Sequence, residues 1–239
     1  LSEMLGRANR LKDNDAAVRA KLAALKAYTR TSKTPAASLL RMAKFGAATD
    51  RWMQELELVG TAIQCWTAIE EFYGIVPCML MSMMSNALLP SACETDITGL
   101  IGMLALQSAS GRPAALLDWN NNYGTQANKG VVFHCSNLPR DFFKEHRMDY
   151  QAIIAGSVGK DNTYGTITGR IRAVPFTYCR VATDDTAGTI RTYLGEGRFT
   201  NDKLSTFGGY GVVEIPKFQD LLRYICKNGF EHHVAATMA

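Results

Sequence analysis

Two kinds of hydrophobic pattern divide the chain near residue 138. Before it, apolar residues recur three and four positions apart, as in amphipathic helices, and short unalternating runs at 58–65 and 114–117 are typical of buried parallel strands. After it, short β-branched, alternating runs are separated by Gly, Asn and Asp clusters such as 195–197, which indicates antiparallel hairpins. The sequence therefore predicts an α/β fold. Residues 1–138 would form an open, mostly parallel sheet with helices, and residues 139–239 an antiparallel, β-rich C-terminal domain.

Several helices can be placed within this outline. A proline at the first helical position begins one that reaches about Met53 and buries Leu39, Met42 and Phe45. The methionine-rich segment 77–87 predicts another, and we interpret its methionines as flexible packing rather than as soft-metal ligands. A last helix follows Pro216 and closes the second domain before the histidine doublet.

The composition is that of an ordinary globular protein, with 47% hydrophobic residues, 20% charged residues and a net charge of +4. Its basic residues are dispersed, which argues against a nucleic-acid surface. The longest apolar run, 75–84, is too short to span a bilayer. No signal peptide is visible, although the chain begins at Leu1 rather than Met. We therefore expect a cytoplasmic protein with neither nucleic acid nor membrane as a partner.

The cysteines do not suggest a metal site. Most of the six lie inside apolar stretches, so we expect reduced, buried thiols. No pair has zinc-ribbon spacing. Structural zinc is therefore not predicted.

Three potential metal ligands or proton carriers stand at the ends of apolar elements: Glu94, Asp118 and His134. Asp118 directly follows an apolar run, where α/β sheets place their ligands, but an N-cap or Asx-turn fits equally well. Glu94 lies in a Ser91-x-x-Glu94 capping-box pattern, and local sequence favours that role, with Ser91 capping a helix that buries Ile97 and Ile101. A lone histidine such as His134 is usually a structural group.

A histidine doublet, His232-His233, follows the last helix. In an extended segment adjacent side chains point opposite ways, so we expect only one of the two to face a cleft. Two carboxylates with one or two imidazoles would form an open, oxygen-rich site suited to Mn²⁺.

Four motifs resemble the L-fucose/L-arabinose isomerase family and occur in that family's order: ACETDITG, LLDWNNNYG, VVFHCSNLP and NGFEHHVA. The resemblance covers most of the chain from about Ile63. It implies a metal-dependent aldose–ketose isomerase, an intramolecular oxidoreductase. A divalent metal, expected to be Mn²⁺, would be held by Glu94, Asp118 and His233, and the arabinose branch adds His134. The two carboxylates would also serve as acid and base through an enediol intermediate.

The resemblance further implies a small sugar as substrate. Its hydroxyl contacts are expected from the loop after Asp118, at Asn120, Asn122 and Lys129, with Trp119 as a wall. Family members are longer, with an N-terminal α/β domain that this chain lacks, and they form homo-oligomers whose sites draw on a neighbouring subunit. The alternative function is a non-catalytic sugar-binding or assembly module that retains the fold. A third possible function is a metal-dependent hydrolase, which makes less use of the acid/base pair.

Overall fold

The computed structural model describes all residues, 1–239, as helices and strands joined by short loops. The helices are α1 (Ser2–Asn9), α2 (Ala16–Tyr28), α3 (Ala36–Glu55), α4 (Ala68–Tyr73), α5 (Cys78–Asn86), α6 (Ile97–Ser110), α7 (Ala155–Val158) and α8 (Phe218–Lys227). The strands are β1 (Thr61–Ile63), β2 (Ser91–Cys93), β3 (Ala114–Asn122), β4 (Lys129–His134), β5 (Phe143–Tyr150), β6 (Tyr164–Ile171), β7 (Pro175–Asp184), β8 (Thr189–Thr200), β9 (Gly209–Glu214) and β10 (His233–Met238). No helix combines the length and the apolar character needed to cross a membrane.

Eight strands form one sheet in the order β4-β3-β10-β7-β8-β9-β6-β5. Because β4 also pairs with β9, six of these strands close into a ring, and β6 and β5 extend from it. All pairings in this sheet are antiparallel except β6 with β9. Strands β1 and β2 form a separate, parallel pair.

The predicted α/β class is confirmed, but parallel pairing in the first half is confined to β1 and β2. The run at 114–117 forms a strand as predicted, yet this strand, β3, pairs antiparallel with both β4 and β10. An apolar run without alternation indicates that both faces of the strand are buried, but it does not indicate whether the neighbouring strand is parallel or antiparallel. In β3, Leu116 packs under α6 while Leu117 faces the main core. The domain boundary at residue 138 stays a prediction. Strands β3 and β4, which precede it, lie in the same sheet as the later strands.

The predicted core positions of α3 are confirmed, with Leu39, Met42 and Phe45 all buried. They belong to the largest hydrophobic cluster, which joins the N-terminal helices to the inward-facing residues of the ring. Phe218 and Ile225 attach α8 to the same cluster. Three of the four methionines of α5 are buried as well, namely Met79, Met81 and Met84.

The start of α6 differs from the prediction. Ser91 is not a helix cap but the first residue of β2, paired with β1. The cap is Asp96, whose Oδ1 accepts the Gly99 N–H at 2.7 Å. Asp and Ser are both good N-caps, so the capping-box pattern alone could not place the helix start.

The buried face of α6 is also not the predicted one, because Ile97 and Ile101 are 56% and 49% exposed. The face toward the sheet carries Gly99, Gly102 and Met103 instead. A Cβ on Gly99 would lie 2.8 Å from Leu116 Cδ1, so the helix approaches β3 only because that side chain is missing. A pattern of large apolar residues cannot reveal a face made by glycines.

Two further differences concern β-structure in the second half. The mixed segment after Phe142 forms β5, which the pattern did not predict. The cluster 195–197, predicted as a turn, lies inside β8. There a Cβ on Gly197 would come within 2.9 Å of the Phe176 ring on β7, so this glycine makes room for an aromatic ring rather than for a turn.

Candidate active site

All four predicted ligands converge beside the ends of β2 and β4, the start of β10 and the middle of β3. The register of β3 with β10 sets Asp118 directly opposite His233, and Asp118 Oδ1 lies 3.3 Å from His233 Nε2. Glu94 directly follows β2, and its Oε2 lies 3.8 Å from the same nitrogen. His134 ends β4, with its ring centroid 5.7 Å from that of His233. The fold thus brings together residues that are far apart in the sequence.

Three buried polar atoms at this point have no hydrogen-bond partner: Asp118 Oδ1, His134 Nε2 and His233 Nε2. The potential ligand atoms of these three residues all lie within 4.8 Å of one another. An unpartnered buried polar atom costs about 1–3 kcal/mol, so three in contact are unusual in a folded protein. A divalent cation would satisfy the lone pairs of Asp118 Oδ1 and His233 Nε2, and oxygen and imidazole donors fit a Mn²⁺-type ion.

His233 is held by an acid that the prediction did not include. Its Nδ1 lies 2.9 Å from Asp96 Oδ2. A carboxylate only accepts, so Nδ1 carries the proton and Nε2 presents its lone pair toward Glu94 and Asp118. This is the arrangement by which a carboxylate orients a metal-binding imidazole. The only sequence signal for Asp96 was its place two residues after Glu94.

Asp96 is itself fixed by a buried arginine. Arg180 Nη1 donates to Asp96 Oδ2, and Nη2 donates to Thr98 Oγ1 at 3.0 Å and contacts Glu231. Burial alone would raise the pKa of Asp96, but hydrogen bonds from His233 and Arg180 hold it well below its usual value. Asp96 is therefore a permanent anion behind His233. Nothing in the alternating sequence of β7 marks Arg180 as its partner.

His134 is held in a different protonation pattern. Its Nδ1 accepts the backbone N–H of Cys135 at 2.9 Å. Burial lowers the pKa of His134, but the negative charges of Cys135 and Asp118 raise it overall, to about 9. That raised pKa would favour a doubly protonated ring, but such a ring could not accept the Cys135 N–H. The hydrogen-bond geometry therefore takes precedence and indicates a neutral ring with its proton on Nε2. This geometry suits a hydrogen-bond donor better than a metal ligand.

Burial raises the pKa of Asp118, and the three neighbouring histidines only partly oppose that rise. A carboxylate with a raised pKa is a stronger base than a solvated one. Asp118 is therefore suited to accepting and returning a proton.

Both histidines of the doublet lie near Asp118, which differs from the prediction. The side chain of His232 is 63% exposed and that of His233 only 7%, yet His232 Nε2 also lies 3.5 Å from Asp118 Oδ1. The two rings are 4.4 Å apart. Strand β10 begins at His233, so His232 lies in the bend before it, where strand alternation does not apply. The expectation that only one ring would approach the site is wrong.

Glu94 does not serve in a capping box; it lies in a strained turn. Both Glu94 and Thr95 have a φ of 58°, a conformation that side chains other than glycine rarely adopt. Two side-chain contacts support the turn: Trp66 Nε1 donates to Glu94 Oε1 at 3.1 Å, and Thr95 Oγ1 donates to Gln64 Oε1 at 2.9 Å. Such backbone strain clusters at functional sites, because the surrounding structure must hold it in place.

Trp119, predicted as a wall of the sugar site, packs elsewhere. Its indole N–H donates to the Tyr193 hydroxyl at 2.9 Å, and its ring meets Tyr178 edge-on. It follows Asp118 directly, so strand alternation turns the two side chains to opposite faces of β3.

The other predicted sugar contacts also have partners away from the four ligands. Lys129 forms an ion pair with Asp202 at 2.7 Å, and Asn122 Oδ1 accepts from Gln219 Nε2 at 2.9 Å. Asn120 is exposed. The structure does not bring these residues into the cleft beside the ligands, and their sugar contacts stay predictions.

This cleft has a volume of about 360 Å³, and Ile97 is the only hydrophobic residue among the eight that line it. Glu94 and His233 border it, and the rest of the lining comes from residues 95–98 and 231–232. Neither lysine nor arginine is among the lining residues. The cleft can therefore offer hydroxyl contacts and negative charge to a ligand, but not a lysine or arginine side chain.

Residues 132–239 match the L-fucose isomerase C-terminal domain. The resemblance to the L-fucose isomerase family is confirmed. The matched segment contains both members of the doublet and His134, whereas Glu94, Asp96 and Asp118 precede it.

Curated proteins similar to this chain are sulfoquinovose isomerases. The one from Alkalicoccus urumqiensis is 30% identical over 99 residues, which is 41% of this chain and 22% of the relative. The one from Clostridium sp. (strain MSTE9) is 26% identical over 226 residues, which is 88% of this chain and 46% of the relative. The chain thus spans less than half the length of the curated relatives that it matches.

Proposed function

We propose that this chain is the metal-binding part of an aldose–ketose isomerase. The observation that carries the proposal is the convergence of Glu94, Asp118 and His233, with Asp96 hydrogen-bonded behind the histidine. The match to the L-fucose isomerase C-terminal domain and the similarity to sulfoquinovose isomerases support it.

Interconverting an aldose and a ketose moves one proton between C1 and C2 and another between O1 and O2. A divalent ion, expected to be Mn²⁺ and held by Glu94, Asp118 and His233, would polarise the carbonyl and acidify the neighbouring hydroxyl. The protein itself must supply groups that carry the protons.

Glu94 and Asp118 suit the two proton-carrying roles because they reach the same point from different strands. The pKa of Asp118 is raised by burial, which makes its carboxylate the stronger base, so we assign it the proton between the two carbons. The side chain of Glu94 is 28% exposed at the edge of the cleft and can exchange its proton with water. On the opposite side of the planar enediol it would serve the oxygens.

His134 completes the site as a donor. With Nδ1 occupied by the Cys135 N–H, its buried Nε2–H has no protein partner. A fixed N–H group in a water-poor site stabilises negative charge on a substrate oxygen as the enediol forms. This role differs from the ligand role that the family resemblance implies for His134.

The substrate class follows only in part from the cleft. The relatives are named for sulfoquinovose, and a sulfonated sugar needs a cationic partner that no lysine or arginine of the cleft supplies. A neutral aldose matches the polar lining directly. Both kinds of sugar therefore belong in the test.

The experiment follows hydrogen exchange at C2 of L-fucose, L-arabinose and sulfoquinovose in D₂O by NMR, with Mn²⁺ removed before detection. We expect exchange with the unmodified chain and none with Glu94→Gln or Asp118→Asn. Asp202→Asn, an acid paired with Lys129 away from the cleft, is the control and should leave exchange intact.

Two results would count against the proposal. If the chain binds Mn²⁺ and a sugar but exchanges no hydrogen, it is the non-catalytic sugar-binding module. If Glu94→Gln and Asp118→Asn both exchange at the full rate, these carboxylates carry no proton and the site has been misassigned.

A further inference from the structure

Four cysteines from separate elements meet beneath the candidate active site. Cys65 follows β1, Cys78 begins α5, Cys93 ends β2 and Cys135 follows β4. All four are buried and none forms a disulfide. Their sulfur atoms all lie within 4.8 Å of one another. Sequence spacing gave no hint of this cluster, because the four positions are brought together only by the packing of β1, β2, β4 and α5.

The separation of these sulfurs matches the coordination sphere of one metal ion. In a tetrahedral Zn²⁺ site with Zn–S bonds of about 2.3 Å, the sulfur atoms lie roughly 3.8 Å from one another. Four sulfur ligands with that geometry favour zinc or iron, not Mn²⁺ or Mg²⁺. A polynuclear iron–sulfur cluster inserts several metal and sulfide ions and would hold the four thiolates farther apart.

The surroundings are those of a closed structural site. The same small cluster of buried side chains contains three methionines, Met53, Met81 and Met84, and Val76 is its only member without sulfur. All four cysteines are buried, whereas the side chain of Glu94 at the candidate active site is 28% exposed. Zinc sites with four cysteines and no exchangeable ligand stabilise the fold rather than act in catalysis.

We propose that Cys65, Cys78, Cys93 and Cys135 hold one structural Zn²⁺ ion. Zinc binds the thiolate form, so each cysteine that still carries a proton releases it as its Zn–S bond forms, and no oxidant is needed. This site is separate from the proposed isomerase site and does not depend on that function.

A zinc ion at this position would also affect the candidate active site. Three of its cysteines are covalent neighbours of candidate-site residues: Cys65 precedes Trp66, Cys93 precedes Glu94 and Cys135 follows His134. Trp66 in turn donates to Glu94, and Cys135 donates its N–H to His134. A zinc ion that ties these three segments together would fix the orientation of both Glu94 and His134.

The experiment measures the metal and its ligands in the purified full chain. After dialysis against a chelator, metal analysis should find one zinc per chain, and X-ray absorption at the zinc edge should show sulfur neighbours at about 2.3 Å. Nitrogen and oxygen neighbours alone would place the zinc at the histidine–carboxylate site and overturn the proposal. Iron in place of zinc would also overturn it.

The matched variants are Cys93→Ser, inside the cluster, and Cys179→Ser, a buried cysteine that packs beside α6 in a different cluster. We expect Cys93→Ser to lose the bound zinc and Cys179→Ser to keep it. Equal zinc content in the two would refute the assignment.

Mass spectrometry under non-reducing conditions covers the remaining alternative. Cys65 Sγ and Cys93 Sγ are only 3.0 Å apart, so a redox pair is the competing explanation. A Cys65–Cys93 disulfide in the freshly purified chain would overturn the zinc site. Because the absorption measurement and the disulfide analysis use the unmodified chain, they decide the matter even if Cys93→Ser fails to fold.

Discussion

Replacing Asp96 with Asn tests how the candidate site is oriented. Asn keeps the size of the side chain and is an equally good N-cap for α6, but it removes the charge that faces His233 and Arg180. An amide can also turn its NH₂ group toward His233 Nδ1, which would reverse the proton pattern of the ring. The substitution therefore separates orientation of the ligand from capping of the helix.

The expected loss has two parts. Removing a carboxylate that orients a metal-binding imidazole lowers metal affinity about 10- to 100-fold, or about 1.4–2.8 kcal/mol. Arg180 is fully buried and would keep Glu231 as its only ionic partner, so we expect a further loss of about 2–3 kcal/mol in the free energy of unfolding, below the value for a completely broken buried pair. The two losses are measured separately, by calorimetric titration with Mn²⁺ and by urea unfolding without metal.

The depressed pKa of Asp96 also fixes the sign of the pH dependence. A carboxyl whose pKa is lower in the folded state contributes its full stability above the unfolded value of about 4 and loses it as the pH falls further. The stability difference between wild type and Asp96→Asn should therefore be constant at neutral pH and shrink in acid. A folded Asp96→Asn protein that binds Mn²⁺ within twofold of wild type, while Asp202→Asn behaves the same way, would refute the orienting role.

Two further predictions use single substitutions. His233→Ala should lower Mn²⁺ affinity more than His232→Ala, because the ring of His233 is buried and held through Nδ1, whereas that of His232 is mostly exposed; equal losses in calorimetry would contradict this. Glu70→Gln should raise the stability by up to about 3 kcal/mol at pH 7 and have little effect at pH 4, as measured by urea unfolding. Burial, together with the charges of Cys135 and Glu71, raises the pKa of Glu70 from 4.5 to about 8, so the folded state loses stability as the pH rises between these values. A pH dependence identical in both proteins would show that Glu70 is not the cause.

Local sequence was enough for the class of the fold and for the ligands of the candidate site. Periodicity placed α3, α5 and α8, since the spacing of apolar residues on a helix depends only on which face is buried. Ends of apolar elements marked Glu94, Asp118 and His134, and the order of the motifs pointed to the family that the comparison confirmed. None of these inferences requires knowledge of which strand lies beside which.

Partners across the chain were decided only by the tertiary structure. Apolar runs showed that β3 and β4 are buried but not that they pair antiparallel, because burial carries no information about direction. Arg180 lies 84 residues from Asp96 along the chain, so no spacing rule could pair them. The four cysteines lack the sequence spacing of a zinc motif for the same reason, since each comes from a different element. Amino-acid type and local pattern determine what a residue can do, whereas long-range packing determines which other residues it does it with.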